Sequence, residues 1–244
     1  MNIVITAGGT SEKIDNVRKI TNSSTGKLGK SIAEELLRNI TEKDKIFYIC
    51  TKSSYRPQGS NVEIIEIEST NDLLNVVTNT LKNNKIDYFI HSMAVSDYTT
   101  SYVTNAKLLE EEINNNKNEN IENVIKNNKN ILVGTKISSK EDNLVIVLKP
   151  TPKVISKIKE ISPNTFLIGF KLLYNVSKEE LIEVAKGIRD KNNCDLVVAN
   201  DLNEIRKGNH IAYIIDKYDN EIKASTKEDI AKKLVGEIIK NKDK

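Results

Sequence analysis

Ile3-Val4-Ile5-Thr6-Ala7-Gly8-Gly9-Thr10 is a short β-branched run ending in a glycine pair, and Ser23-Ser24-Thr25-Gly26-Lys27-Leu28-Gly29 is a second glycine element opening a helical pattern. A strand that ends in glycine and leads to an amphipathic helix is the start of a βαβ unit. Ile32, Leu36 and Leu37 mark the apolar side of that helix, predicted over about 25–38. Outward from this start, strand-like runs recur at 46–50, 62–67 and 88–92, the last two separated by a helical stripe through Leu73, Leu74, Val77 and Leu81. Further runs at 144–148, 166–170 and 196–199 alternate with helical patterns at about 152–161 and 178–192. The alternation predicts an α/β fold, a Rossmann-like, mostly parallel sheet with helices on both faces. Residues 210–215 and 221–224, around Asp219-Asn220, predict a C-terminal antiparallel edge hairpin. A closing helix over about 227–240 carries Ile230, Leu234 and Ile238, with Ser225 or Thr226 to cap it.

Composition narrows the function classes. The chain has 244 residues with a net charge of +3 and no basic block, which argues against nucleic acid as a partner. Its length suits a single domain over 1–244. No stretch approaches the roughly 20 apolar residues of a membrane span, and the start lacks a secretory pattern, so a cytoplasmic protein is expected. Cys50 and Cys194 sit in apolar runs outside any ligand cluster and read as buried, reduced thiols. The Asn-, Lys- and Glu-rich segment 106–130 reads as a surface excursion, partly helical or mobile, either a lid or dimer arm or a tolerated insertion.

The two glycine elements are places for anions. Glycine lets backbone N–H groups approach phosphate oxygens, and a helix N-terminus adds dipole and unpaired donors. The pattern is not that of a P-loop. It also departs from a dinucleotide fingerprint, because a polar excursion separates Gly9 from Gly26 and the second strand runs into Thr51-Lys52-Ser53 without an acidic residue. An NADP-like use of Lys52 stays open. His91 and His210 lie in strand runs and read as structural.

The run from Ile5 to Gly29, containing Asp15-Asn16-Val17-Arg18 and Asn22, resembles the opening of phosphopantothenoylcysteine synthetase, or phosphopantothenate–cysteine ligase. The resemblance continues at Ala94-Val95-Ser96-Asp97-Tyr98, Lys136-Ile137, Ile168-Gly169-Phe170 and Asp195-Leu196-Val197-Val198-Ala199-Asn200-Asp201, in family order over almost the whole chain. It implies a step of coenzyme A biosynthesis. CTP activates the carboxylate of 4′-phosphopantothenate with release of pyrophosphate, and cysteine then displaces CMP. It also implies Mg²⁺ (or Mn²⁺) carried mainly by the nucleotide phosphates rather than by protein ligands, a homodimer, and a possible separate phosphopantothenoylcysteine decarboxylase as partner. Because the chain begins at the ligase's first strand, the stand-alone bacterial type is the one resembled.

By matched position, Asn22, Arg18 and Lys136 are the implied catalytic residues, Asn22 holding the acyl-nucleotide and Lys136 the triphosphate. Gly8, Gly9, Ser24, Gly26, Gly29, Asp97, Pro152, Lys153, Val154, Ile155 and Phe170 are implied at the nucleotide, with Asp97 reading the base. Ala94 and Asn200 are implied at the substrate. The sequence departs from the family at Ser138-Ser139, Lys171-Leu172-Leu173 and Pro150, where lysines or a different motif are usual, and Lys186, Arg189 and Lys191 do not align with the family's helix lysines. The alternatives are an NADP-linked oxidoreductase, for which Tyr98 is the one suitably placed tyrosine, and a catalytically silent nucleotide-binding module.

Overall fold

The computed structural model describes residues 1–132, 136–206 and 210–242. Strand β1 (Asn2–Ala7) ends at the glycine pair, and a small antiparallel ribbon of β2 (Ser11–Lys13) and β3 (Lys19–Thr21) precedes helix α1 (Lys27–Asn39). Next come β4 (Lys45–Thr51), β5 (Val62–Ile67), α2 (Thr70–Asn83) and β6 (Tyr88–His91). An arm follows, made of β7 (Tyr98–Asn105), α3 (Ala106–Asn115), α4 (Ile121–Asn127) and β8 (Leu144–Pro150). The chain returns through α5 (Val154–Ile161), β9 (Phe166–Leu173), α6 (Lys178–Asn192), β10 (Leu196–Asp201) and α7 (Leu202–Arg206). It closes with β11 (Ala212–Asp216), β12 (Glu221–Ala224) and α8 (Lys227–Lys242).

The main sheet has the order β12-β11-β10-β9-β6-β1-β4-β5. All pairings from β5 to β10 are parallel, and β11 and β12 add the expected antiparallel edge. Counted along the chain, the parallel strands lie in the doubly wound order 3-2-1-4-5-6. Strand alternation divides the core. Ile3 and Ile5 face the layer of Ile32, Leu36, Ile230, Leu234 and Ile238 from α1 and α8. Val4 faces the layer of Leu73, Val77, Ile158, Leu181 and Ala185 from α2, α5 and α6. Burial on both faces is why the central strands read as continuous apolar runs.

Caps fix the helix starts. Ser69 and Asp72 form a capping box on α2, and Thr226 rather than Ser225 caps α8 by accepting from the Asp229 N–H at 3.1 Å. Segment 106–130 is partly helical, and among α3 and α4 only Val124 is buried. Among the described residues no helix is long and apolar enough to cross a membrane.

One expectation is corrected. The run 144–148 does not join the main sheet; β8 pairs antiparallel with β7 in a separate two-stranded ribbon. Its residues are half-buried or exposed throughout, ending in Lys149 and Pro150, whereas β6 and β10 are buried along their whole length. Standing apart from the main sheet, the ribbon leaves β8 without a buried stretch anywhere along its length.

Candidate functional site

The strand order reverses between β1 and β6, and in open α/β sheets ligands bind in the crevice at that switch point, beyond the strands' carboxyl ends. Two loops meet there. The Ala94 N–H donates to the Gly8 carbonyl at 2.9 Å, and the Thr10 N–H donates to the Ala94 carbonyl at 3.0 Å. Gly8 and Gly26 hold left-handed φ of 93° and 72° at the two ends of the excursion between β1 and α1. At Gly9 the reason for glycine is contact, since a Cβ there would lie 1.7 Å from the Asn22 carbonyl oxygen. At Gly29 a Cβ would lie 2.6 Å from that of Ala7, so the helix packs directly on β1. Gly9 and Gly29 therefore serve packing of the protein's own chain. Gly26 begins α1 with no acidic residue in the first turn, and the cap comes from the preceding residue, Thr25 Oγ1 accepting the Lys27 N–H at 3.4 Å. Exposed Ser24 stands beside it, its hydroxyl 3.4 Å from the Gly26 N–H.

Asn22 is where the two loops are tied. Its N–H donates to the Thr10 carbonyl at 3.0 Å, and its side-chain NH₂ donates to the Val95 carbonyl at 2.9 Å. Among the described residues its side-chain oxygen has no hydrogen-bond partner. The side chain is exposed and oriented by the β6 loop rather than by its own turn. Beneath it lies a buried hydroxyl cluster that the sequence reading missed. The Thr10 hydroxyl receives the Ser96 N–H at 2.8 Å and lies 2.9 Å from the Ser96 hydroxyl, and Thr151 donates to the Ser96 carbonyl at 2.5 Å. Glu12, also buried, accepts the Thr70 N–H at 2.8 Å at the start of α2. Nothing in spacing flags Thr10, Ser96 or Thr151, because their partners lie far apart in the chain.

Arg18 pairs with Asp15. Its Nε and Nη2 donate to Asp15 Oδ2 at 3.0 and 2.5 Å, and Nη2 also donates to the Ile137 carbonyl at 2.9 Å. Those bonds, with the Val17, Arg18 and Ile137 N–H groups, hold the Asp15 carboxyl far below the usual carboxylate range. Lys136 is exposed and adjacent to buried Ile137.

Asp97 and Lys153 form an exposed ion pair at the crevice rim, joined further by the Thr151 N–H to the Asp97 carbonyl at 3.0 Å. Pro152 is exposed beside them, but Val154 is only 2 % exposed and Ile155 packs over Gly169, so both side chains serve the core. Any ligand contact in that segment falls to Pro152, Lys153 or the α5 backbone. Phe170 is half-buried on β9, in register with Val198. Asn200 is buried at the end of β10 with no side-chain hydrogen bond among the described residues, while its neighbour Asp201 receives the Asn175 and Val176 N–H groups, both at 3.0 Å. Arg189 clamps the β11–β12 turn through Asp219 at 2.6 Å, joined there by Lys186. His91 is buried against Thr6 at 2.9 Å, and burial pushes it down to about 4, so it is neutral. Both cysteines are buried and free of disulfides, and burial pushes the Cys194 thiol up to about 12.

Comparison with known proteins gives a chain-long match. The family model of the DNA/pantothenate metabolism flavoprotein C-terminal domain matches residues 1–134 and 127–241. The chain is 34% identical over 239 residues to the coenzyme A biosynthesis bifunctional protein CoaBC of Thermococcus kodakarensis, covering 98% of this chain and 51% of that protein. It thus spans about half the length of the curated relatives it matches. Among solved structures, the DNA/pantothenate metabolism flavoprotein from Streptococcus pneumoniae superposes with a TM-score of 0.85 at 38% identity, covering 99% of each chain. A Cab2 variant in complex with phosphopantothenate-cysteine superposes at 0.72 with 18% identity over 99% of this chain and 86% of its own, a likeness of fold.

Proposed function

The chain belongs to the DNA/pantothenate metabolism flavoprotein C-terminal domain family, and we propose that it is a CTP-dependent phosphopantothenate–cysteine ligase of coenzyme A biosynthesis. The carboxylate of 4′-phosphopantothenate attacks the α-phosphate of CTP, pyrophosphate leaves, and an acyl-cytidylate forms. The cysteine amine then attacks the acyl carbon, CMP leaves, and 4′-phosphopantothenoyl-cysteine results. The observation that carries the reading is the Asn22 side chain held on the Val95 carbonyl at the switch-point crevice, in the loop that leads into α1.

The first step brings anion to anion, so the site must offer cations and fixed donors before it needs a base. The α1 N-terminus and Lys136 suit the triphosphate. An amide suits the acyl-cytidylate because it binds an oxygen without committing charge. Asp97 at the rim suits the cytosine exocyclic amine, with Lys153 as its counter-charge, and Asn200 is a buried amide free to meet substrate. Among the described residues no three His, Cys, Asp or Glu side chains gather as a metal cage. In this reading a Mg²⁺ would travel on the nucleotide and neutralise phosphate charge there. We extend the reading to a cytoplasmic homodimer whose product feeds a decarboxylase.

The test is pyrophosphate release with 4′-phosphopantothenate, Mg²⁺ and either CTP or ATP, with and without cysteine, following the product by mass. Release that needs phosphopantothenate, prefers CTP and gives the adduct only with cysteine supports the ligase. Folded protein that releases none with either nucleotide refutes it.

A further inference from the structure

We propose that Asp15 is a positioning residue for Lys136, acting through the Ile137 peptide; the proposal rests on the reading that Lys136 meets the nucleotide. The two oxygens of Asp15 divide their work. Oδ1 closes the local turn, accepting the Val17 and Arg18 N–H groups at 2.8 Å each. That half is what any turn-forming Asp does. Oδ2 does something the turn does not require: it accepts the Ile137 N–H at 3.1 Å, from a residue 122 positions away, together with the Arg18 guanidinium. Arg18 in turn donates to the Ile137 carbonyl at 2.9 Å. Both polar groups of one residue's backbone are thus gripped by one ion pair, and the Ile137 side chain is buried behind them at 7 % exposure.

Lys136, the residue before this grip, is exposed, and its long side chain has no ion pair among the described residues. A lysine is a mobile point charge, so its usefulness to a triphosphate depends on where its backbone is fixed. The Asp15 side chain is only 1 % exposed and the clamp is charge-assisted, the combination in which such hydrogen bonds are strongest. Arg18 is the second jaw of this clamp in the structure.

Asp15→Asn tests the idea with little change of shape. The amide oxygen can keep the turn, but its NH₂ then faces the Arg18 guanidinium and the Ile137 N–H, donor against donor. The first readout needs no activity. Trypsin cuts after lysine, and the fragment beginning at Ile137 is expected to appear about tenfold faster from Asp15→Asn than from wild type, as loss of a charge-assisted bond would allow. The second readout is kinetic. KM for CTP should rise about tenfold while KM for cysteine stays put, and the same substitution on a Lys136→Ala background should add little. Circular dichroism verifies the fold, and Arg18→Lys, which keeps the charge but loses the fork, should shift both readouts in the same direction.

Unchanged cleavage in both variants overturns the clamp. Faster cleavage with a CTP effect that is fully additive to Lys136→Ala overturns the positioning role. If Lys136→Ala itself leaves KM for CTP unchanged, the nucleotide reading of Lys136 fails and the positioning role with it, while the cleavage rate still reports whether the clamp exists.

Discussion

Replacing Gly9 by alanine sets a methyl carbon 1.7 Å from the Asn22 carbonyl oxygen, 2.9 Å from its carbon and 3.0 Å from the Ser24 nitrogen. All three obstructing atoms are backbone, so no rotamer relieves the contact, and the loop that carries Asn22 must move outward by more than an ångström. Forced repacking of this kind costs about 3 kcal/mol, the upper end of the overpacking range. For a chain of this size that lowers Tm by about 6–12 °C. Moving the loop also stretches the 3.0 Å Asn22 N–H to Thr10 bond and the 2.9 Å side-chain bond to Val95, so turnover should fall further than stability explains. The assay pairs thermal unfolding with ligation well below the lowered Tm. Gly236→Ala is the control: a Cβ there meets nothing within 4 Å inside α8, and alanine should stabilise by about 1 kcal/mol. Two glycine substitutions are thus expected to differ in sign. A Gly9→Ala protein with wild-type Tm and turnover would refute the argument that this glycine exists for the Asn22 loop.

Asn22→Ala should bind CTP normally by calorimetry but fail to complete ligation, and unchanged steady-state turnover would remove Asn22 from the mechanism. Asp97→Ala should change Tm little, because an exposed ion pair contributes only about 0–1 kcal/mol, yet narrow the preference for CTP over ATP; an unaltered ratio would count against base reading by Asp97. His91 gives a pH signature. Its imidazole is held at about 4 in the folded chain against about 6.5 unfolded, so as pH falls between these values the unfolded state takes up a proton that the folded state refuses. Stability should therefore decline by about 3 kcal/mol from pH 6.5 to 4, and His91→Gln should lose that slope in pH-dependent urea melts.

The main sheet was legible because its central strands are sealed on both faces and so appear as unbroken apolar runs, as in Ile3 to Ala7 or Leu196 to Ala199. That same rule misled at 144–148. A short apolar run is equally compatible with a central strand and with one half of an exposed ribbon. What distinguishes them is the partner, Tyr98–Asn105, whose alternation of Thr, Ser and Tyr reads as polar surface. Asn22, Asp97 and Lys136 are singled out by the resemblance, since an exposed amide, carboxylate or lysine has no local signature of its own. Thr10, Ser96 and Thr151 were missed for the opposite reason. They are small and buried, and they matter through hydrogen bonds between distant loops that no spacing announces.

The departure from a dinucleotide fingerprint has a structural meaning. In that fingerprint a glycine after the first strand exists so that pyrophosphate can approach the backbone. Here the corresponding space beside Gly9 is filled by the carbonyl of Asn22, brought back by the β2–β3 ribbon. The fold keeps the switch-point crevice and the helix N-terminus, but its own chain occupies the position nearest the sheet. On the proposed reading a phosphate sits further out, against a surface on which the Asn22 amide stands beside the loop from β6. Binding a dinucleotide needs only backbone donors and a ribose carboxylate, neither of which explains an oriented amide. The proposed acyl-cytidylate is suited by one, because the mixed anhydride presents acyl and phosphoryl oxygens that an amide can meet without committing a charge, alongside the cations that hold the phosphates. The excursion that breaks the glycine motif is thus the same segment that delivers Asn22, so the lost dinucleotide signature and the proposed role of Asn22 lie in one stretch of chain.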